Sequence, residues 1–273
     1  MTQDKRNPSF LQALVGLGVV AIALGLAAGA VSIPSAAGYG GVGPNFLPWL
    51  VAVALMLCGG FLVWEARSGG FREIDRHDGH HETRDAHGYS GWLRRQGYDS
   101  PAPWSDYVIS AVDEGGSVVS GWHMRHVHLP ARVAEPHSET AYTTDRAIEF
   151  MRERGDRPWV LHLSYVKPHW PYMAPAPYHA MYTADQCLPV VKRETELRDA
   201  HPAVAAYRQH EESATFARDE VVRHVRPAYQ GLITQLDDHL GRLFEFMDRQ
   251  GLSRDTLVVF CADHGDFLGD HWL

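Results

Sequence analysis

The 273-residue chain contains 25 basic and 33 acidic residues, and its formal charge of −8 argues against nucleic-acid binding. Its hydrophobic fraction of 45 % is sufficient for a sizeable core, while three cysteines (Cys58, Cys187 and Cys261) exclude a disulfide framework. The charge is unevenly divided, because residues 1–70 carry a net +1 and all 17 histidines lie after residue 76. The sequence thus joins two parts of unlike composition.

Two uncharged apolar stretches, residues 10–33 and 46–64, begin the chain. Each is about long enough to cross a bilayer core of ~30 Å. Basic residues flank their outer ends, at Lys5, Arg6, Arg67 and Arg72. The positive-inside rule therefore predicts a hairpin in a bacterial inner membrane, with both termini and the soluble domain in the cytoplasm. A cleaved signal peptide is the alternative for the first stretch, but the second stretch favours the hairpin.

The hairpin region contains a second pattern, formed by Ile33-Pro34, Gly38-Tyr39, Val42-Gly43-Pro44, Pro48 and Trp64-Glu65-Ala66. In these positions residues 1–70 resemble the small membrane subunit of tripartite tricarboxylate transporters. That family usually has four spans, of which two are present here. The resemblance implies a membrane location, and it implies no transport by this chain alone.

Residues 71–86 are polar and charged without periodicity, which predicts a junction. Their histidines could bind metal, but a solvated linker is the preferred interpretation of His77, His80, His81 and His87.

Further on, His126 and His128 would share one face of a strand, as paired zinc ligands do. No further ligand follows them nearby, so we predict that they lie at the surface. Residues 87–273 are predicted to form the soluble domain.

A helix, a strand and a proline-rich loop follow one another in the middle of the domain. Ser138 is a suitable N-cap for a helix that runs to Arg154 and ends at Gly155. The apolar run Trp159–Val166 then predicts a strand, and the helix–loop–strand order is typical of a layered α/β domain. The next residues are Lys167-Pro168-His169-Trp170-Pro171-Tyr172.

The two prolines restrict the backbone on both sides of His169. They predict a preorganised imidazole that donates a proton or a hydrogen bond to an anionic ester. The alternative is a rigid loop with an exposed histidine.

Residues 192–226 predict a helical excursion or lid with too few apolar residues for a core. Pro227 is then predicted to start an amphipathic helix that ends at Gly251.

The last residues contain a strand pattern followed by polar groups. Thr256–Ala262 predicts a buried strand, after which come Asp263-His264-Gly265-Asp266 and Leu268-Gly269-Asp270-His271. Ligands bind at the carboxyl ends of strands in open α/β sheets, and a carboxylate beside an imidazole suits a divalent cation. Asp263 and His264 are therefore the predicted metal ligands. A solvated turn is the alternative.

Together, Lys-Pro-His-x-Pro after one strand and Asp-His-Gly-Asp after another resemble the sulfatase branch of the alkaline phosphatase superfamily. The continuation Ala174–Tyr182 is similar to its phosphonate monoester hydrolase and phosphodiesterase subgroup. The resemblance covers residues 76–273 and implies an α/β, sulfatase-like layered domain, incomplete at both ends. It also implies a bound Mn²⁺ or Ca²⁺ and a small anionic ester substrate that His169 and Lys167 contact.

The nucleophile of that family is formylglycine, made from the cysteine of a Cys-x-Pro-x-Arg motif. Cys187-Leu-Pro189 has Val191 in place of the arginine and follows His169, whereas the family's motif precedes it. The predicted function is therefore a metal-dependent hydrolase of sulfate, phosphate or phosphonate esters that is inactive or incomplete as written. The alternative is a membrane subunit fragment of a tricarboxylate-type transporter with an incidental soluble tail.

Overall fold

The computed structural model describes residues 8–33, 45–68 and 88–273. The chain separates into two compact units between residues 74 and 75. The predicted junction at residues 71–86, the His77–His87 cluster and the loop between the two apolar stretches lie outside the described residues. The domain boundaries given above therefore stay a prediction.

The first unit contains two long helices, α1 (Pro8–Val31) and α2 (Phe46–Ser68). They pack closely at two glycines, because a Cβ on Gly16 would lie 2.9 Å from the Gly59 carbonyl oxygen. Both helices are long and apolar enough to cross a membrane, with mean hydropathies of 2.4 and 2.3. Only 17 % and 11 % of these spans are buried, unlike the core helix of a water-soluble protein. For α1, a signal sequence would have the same length and composition.

The second unit contains six helices and two short strands within residues 88–273. The helices are α3 (Gly88–Arg95), α4 (Glu139–Arg154), α5 (Thr195–Arg198), α6 (Pro202–Arg208), α7 (Glu211–Thr215) and α8 (Asp219–Arg249). The strands β1 (Ser110–Val112) and β2 (Val118–Ser120) form an antiparallel hairpin in which Ala111 is paired with Val119. The prediction for α4 is confirmed at both ends, because the Ser138 side chain accepts a hydrogen bond from the Ala141 amide and Gly155 has φ 55°.

Helix α8 begins eight residues earlier than predicted, at Asp219 rather than at Pro227. Asp219 and Glu220 complement the helix dipole in the first turn, and Pro227 removes a single backbone donor within the helix. Val221 and Val225 are buried in the core. The expectation that residues 192–226 contribute too little apolar surface for a core is therefore wrong at their carboxyl-terminal end, although α5, α6 and α7 are helical as predicted.

The apolar core of this unit has two parts. The larger part is rich in aromatic residues and joins α3, the start of α4 and the first half of α8. The smaller part lies between the second halves of α4 and α8 and includes Phe150, Met151, Leu243 and Met247. The buried stripe of α8 also carries Gln235 and His239, which the sequence pattern did not indicate. Ile233 and Phe244 are apolar and belong to the same helix, but they are exposed.

Both strands predicted next to the site residues are wrong, since residues 159–166 and 256–262 have no ladder partner in the described part of the chain. In the first segment, Trp159, Leu161 and Leu163 pack on α4 and α8 through one face, as they would in an α/β layer. The second segment is exposed, with Leu257 at 88 % and Val259 at 78 %. An apolar run forms a strand only where a neighbouring strand supplies hydrogen bonds.

Candidate functional site

The proline-rich loop, residues 167–172, lies at the end of the segment that packs on α4 and α8. Its first side chain, Lys167, is 5 % exposed, and the residues after Trp170 are buried as far as Pro175. The Trp170 ring lies edge-on to Trp122 and tilted against His169, with ring centroids 5.2 Å apart in both pairs. The loop is therefore held by aromatic packing, in agreement with the predicted preorganisation of His169.

The orientation of the His169 ring follows from one hydrogen bond. Its Nδ1 atom lies 2.7 Å from the carbonyl oxygen of Trp170. A carbonyl oxygen can only accept, so Nδ1 must carry the proton. In the neutral imidazole the lone pair is then on Nε2, the atom that can take up or give a proton. The role of His169 as a donor to an ester stays a prediction.

The ammonium group of Lys167 is turned into the protein. Its Nζ atom donates to the carbonyl oxygens of Pro171 at 3.0 Å and of His169 at 3.3 Å, and it lies 3.6 Å from Glu139 Oε2. Burial lowers the pKa of Lys167, and the Glu139 carboxylate opposes that shift. Direct contact between Lys167 and a substrate stays a prediction, since no ligand is present.

The predicted metal ligands lie on the exposed terminal segment. The side chain of Asp263 is 88 % exposed and that of His264 is 68 % exposed. His264 Nδ1 is 2.9 Å from the Gly265 carbonyl oxygen, which places the Nδ1 proton in that hydrogen bond. This hydrogen bond and the nearby Asp263 charge raise the pKa of His264. His264 Nε2 is left 3.7 Å from Asp263 Oδ2.

This pair fits one part of a divalent-cation site. A carboxylate and an imidazole are ligand types that divalent cations accept. Closed sites generally need four or more ligands. Residues 8–33, 45–68 and 88–273 contain no cluster of three or more His, Cys, Asp or Glu side chains that could hold a metal. Asp263 and His264 therefore stay predicted ligands of a partial site.

The two motif segments meet at a tyrosine that the sequence analysis did not single out. Tyr172, the last residue of the proline-rich loop, is buried, and its hydroxyl interacts with the Asp266 carboxylate. Burial first, and then the Asp266 charge and this interaction, raise the pKa of Tyr172 strongly. Tyr229 of α8 packs edge-on against Tyr172, and burial and the same carboxylate raise its pKa too. The two segments thus meet close to both histidines. Tyr172 is three residues after His169, and Asp266 is two residues after His264.

The last residues of the chain bind the segment that precedes α5. Asp270 Oδ1 accepts hydrogen bonds from the Val191 amide at 2.7 Å and from Arg226 Nη2 at 2.6 Å. His271 Nδ1 lies 3.0 Å from Glu196 Oε1. Asp270 and His271 therefore anchor the terminal segment to the excursion between residues 188 and 198, and not to Asp263.

Cys187, whose nucleophilic role was rejected from sequence, is half-buried and lies beside Arg226. Burial raises the pKa of its thiol, against the effect of the Arg226 charge. Its Sγ atom is 3.7 Å from the Thr183 carbonyl oxygen. These surroundings do not favour the thiolate, which is the nucleophilic form of cysteine.

The sequence matches the Sulfatase family over residues 63–273. The multifunctional alkaline phosphatase superfamily protein PehA of Trinickia caryophylli is 34 % identical over 216 residues, which cover 75 % of this chain and 40 % of that protein. An arylsulfatase of Clostridium perfringens is 27 % identical over 218 residues, which cover 74 % of this chain and 42 % of that protein.

The fold is similar to that of a solved phosphonate monoester hydrolase, SpPMH from Silicibacter pomeroyi. The TM-score is 0.58 at 28 % sequence identity, and the match covers 67 % of this chain and 37 % of that one. The chain spans about two fifths of the length of these relatives.

Proposed function

Because the chain belongs to the sulfatase family, we propose that residues 88–273 form part of a metal-dependent hydrolase of sulfate, phosphate or phosphonate esters. The predicted family and the α/β, sulfatase-like fold class are confirmed by the matches. The activity belongs to the proposal, since the matched part of this chain covers only about two fifths of each relative named for such chemistry. One observation carries it: the proline-rich loop fixes the tautomer of His169 and joins the Asp263–His264 segment through Tyr172.

In this proposal His169 contacts the ester. With Nδ1 bonded to the Trp170 carbonyl, Nε2 is the atom that would donate to the transferred group or to the leaving oxygen. A proton delivered there neutralises charge that develops on the leaving oxygen as the ester bond breaks. Because the loop is already ordered by Trp122 and Tyr172, little rearrangement would be needed at the moment of reaction.

Asp263 and His264 would hold a divalent cation, Mn²⁺ or Ca²⁺, as two of its ligands. When bound, such an ion supplies charge neutralisation for the ester oxygens and activation of a nucleophile. Calorimetry on the full chain should show weak Mn²⁺ binding that Asp263→Ala abolishes and that Asp237→Ala, an exposed aspartate on α8, leaves unchanged. Equal binding by the wild type and Asp263→Ala would contradict the assignment and point to the His77–His87 cluster.

Turnover by the chain as written should be near background, because covalent catalysis needs an activated nucleophile. The only Cys-x-Pro of the sequence lacks its arginine. We expect no robust hydrolysis of aryl phosphate diesters, phenyl phosphonates or aryl sulfates with Mn²⁺ or Ca²⁺ supplied. Metal-dependent turnover that is lost in both His169→Ala and Asp263→Ala would show that another nucleophile acts here.

Substrate contact can be tested without turnover. Phenyl phosphonate, added to the full chain with Mn²⁺, should shift the imidazole NMR signals of His169 and bind more weakly to His169→Asn. His162→Asn, which removes an exposed imidazole seven residues earlier, is the matched control. Binding that is the same in His169→Asn and the wild type would overturn the proposed role of His169.

We further propose that α1 and α2 cross a bacterial inner membrane and leave the hydrolase-like unit in the cytoplasm. The uncharged sequences and exposed surfaces of both helices support this arrangement. A protein that stays in the supernatant after ultracentrifugation without detergent would contradict it. The transporter-subunit alternative stays a prediction, because no contact among the described residues favours transport.

A further inference from the structure

The Lys167 ammonium lies where the carbonyl groups of the His169 loop converge. An ammonium group has three donors. Two of them reach the carbonyl oxygens of His169 at 3.3 Å and of Pro171 at 3.0 Å. Glu139 Oε2 lies 3.6 Å from the same Nζ atom, at ion-pair distance. The buried ammonium is thus directed at loop carbonyls and a carboxylate of the protein itself.

Glu139 is placed so that it can act as the counter-ion of Lys167. It is the first residue of α4 and 3 % exposed, so its charge is favoured by the helix dipole. Its other oxygen, Oε1, accepts a hydrogen bond from Trp104 Nε1 at 2.8 Å. The carboxylate is therefore fixed from both sides, and it fixes the ammonium in turn.

Three successive carbonyl groups of the loop are bound by side chains of the loop itself. Lys167 holds the first and the third, those of His169 and Pro171, and the His169 ring holds the one between them, that of Trp170. If the outer two carbonyls turned, the Trp170 carbonyl would turn with them. The hydrogen bond that sets the His169 tautomer would then be lost.

We propose that Lys167 and Glu139 are positioning residues for His169, with the ammonium clamping the loop carbonyls and the carboxylate clamping the ammonium. This inference rests on the role of His169 in the proposed function, and it takes the place of direct contact between Lys167 and the ester. A buried ion pair kept only for stability would not need the loop carbonyls as partners. Here two of the three contacts of the ammonium are to those carbonyls.

The test is the tautomer of His169, read from the ring ¹⁵N and ¹³C NMR signals of the full chain in detergent and assigned with His169→Asn. The wild type should show the Nδ1–H form. Lys167→Met should give a mixture of the two tautomers. Lys192→Met is the matched control, because that lysine is paired with Asp219 and the Phe216 carbonyl, and it should leave the His169 signals unchanged.

Lys167→Met leaves Glu139 buried without its cation and so can fail to fold. The double variant Lys167→Met/Glu139→Gln removes both charges and keeps an acceptor for Trp104. It should recover the melting temperature and still show mixed His169 tautomers. A pure Nδ1–H form in the double variant would overturn the proposal, as would an equal change in Lys192→Met. If the tautomer responds but phenyl phosphonate binding does not depend on His169, the clamp stands and the proposed function fails.

Discussion

The two halves of the candidate site differ in how they are held. The proline-rich loop, residues 167–172, follows a segment that packs on α4 and α8. The loop is fixed by an ion pair, three side-chain hydrogen bonds to carbonyls, and edge-on and tilted aromatic contacts. In the terminal segment, residues 255–267 are mostly exposed. Asp266 interacts with Tyr172 of the loop, and the residues after 267 are anchored by Asp270 and His271. Both halves follow the same sequence pattern, an apolar run that ends in chemically reactive residues.

The difference shows how far packing against helices alone can order an apolar segment. Residues 159–166 keep a strand-like alternation because Trp159, Leu161 and Leu163 are covered by helices. Residues 256–262 have no such cover, and their apolar side chains face water. Packing against helices is therefore enough to order the His169 loop, whereas the Asp263–His264 segment would need neighbouring strands for the same degree of order.

The largest difference in the free energy of unfolding should come from two glycine-to-alanine variants. One alters the packed region at Gly231 and the other the exposed segment at Gly265. In Gly231→Ala the new Cβ would overlap the backbone carbonyl of Tyr178, which follows the loop, so α8 must shift. Overpacking of this kind costs about 3 kcal/mol. In Gly265→Ala the Cβ would meet no atom within 4 Å, and we expect little change. Chemical denaturation of both variants measures the difference, and equal losses would contradict the packing described for α8.

A smaller effect should follow from cutting the link between the two halves. Tyr172→Phe keeps the buried ring and removes the hydroxyl that interacts with Asp266, at a cost of about 2 kcal/mol for an interaction with a charged group. Hydrogen exchange should accelerate at residues 263–267 and stay unchanged at residues 167–171. Tyr229→Phe, whose ring packs against Tyr172, is the control. If exchange at the terminal segment is unchanged in Tyr172→Phe, that segment is held by other contacts.

Local signals predicted the parts of this fold that depend on neighbours in sequence. Ser138 and Gly155 gave the ends of α4, and the two prolines indicated the rigid loop around His169. The strands failed as predictions because a strand is completed by hydrogen bonds to other strands, and the described residues provide none beside residues 159–166 or 256–262. The start of α8 was missed because Pro227 was treated as a first-turn proline.

Buried polar contacts between distant residues were beyond sequence reasoning. Glu135 and His239 are 104 positions apart, yet His239 Nε2 donates to Glu135 Oε1 at 2.7 Å, while Arg242 donates to His239 Nδ1 at 2.8 Å. Gln235 and His239 fall at helical spacing between Leu232 and Leu243, so the period alone could have placed them on the buried face of α8. It could not have identified Glu135 as their partner. Glu139 and Lys167 lie 28 positions apart, and no sequence pattern predicted their ion pair.

The hydrogen bonds around Glu135 predict that the free energy of unfolding depends on pH in the packed region of the domain. The hydrogen bond from His239 lowers the pKa of Glu135 below its ordinary value of 4.5, against the effect of burial. The unfolded carboxylate therefore binds a proton first, so this stabilisation is present above pH 4.5 and is lost as the pH falls through the lowered value. Glu135→Gln should cost about 1 kcal/mol at pH 7 and less at pH 3. A difference independent of pH would contradict the pairing.

The smallest effect should come from the exposed half, where Asp263→Ala separates stability from function. The Asp263 carboxylate bonds only to the amide of the adjacent His264 and lies near its ring, so little folding energy depends on it. We expect the free energy of unfolding to change by less than about 0.5 kcal/mol, while Mn²⁺ binding measured by calorimetry is lost. Asp270→Ala is the matched comparison, because that carboxylate holds Arg226 and the Val191 amide and its loss should destabilise the chain. If Asp263→Ala proves as destabilising as Asp270→Ala, the terminal segment is packed in solution, and the contrast between the two halves of the site does not hold.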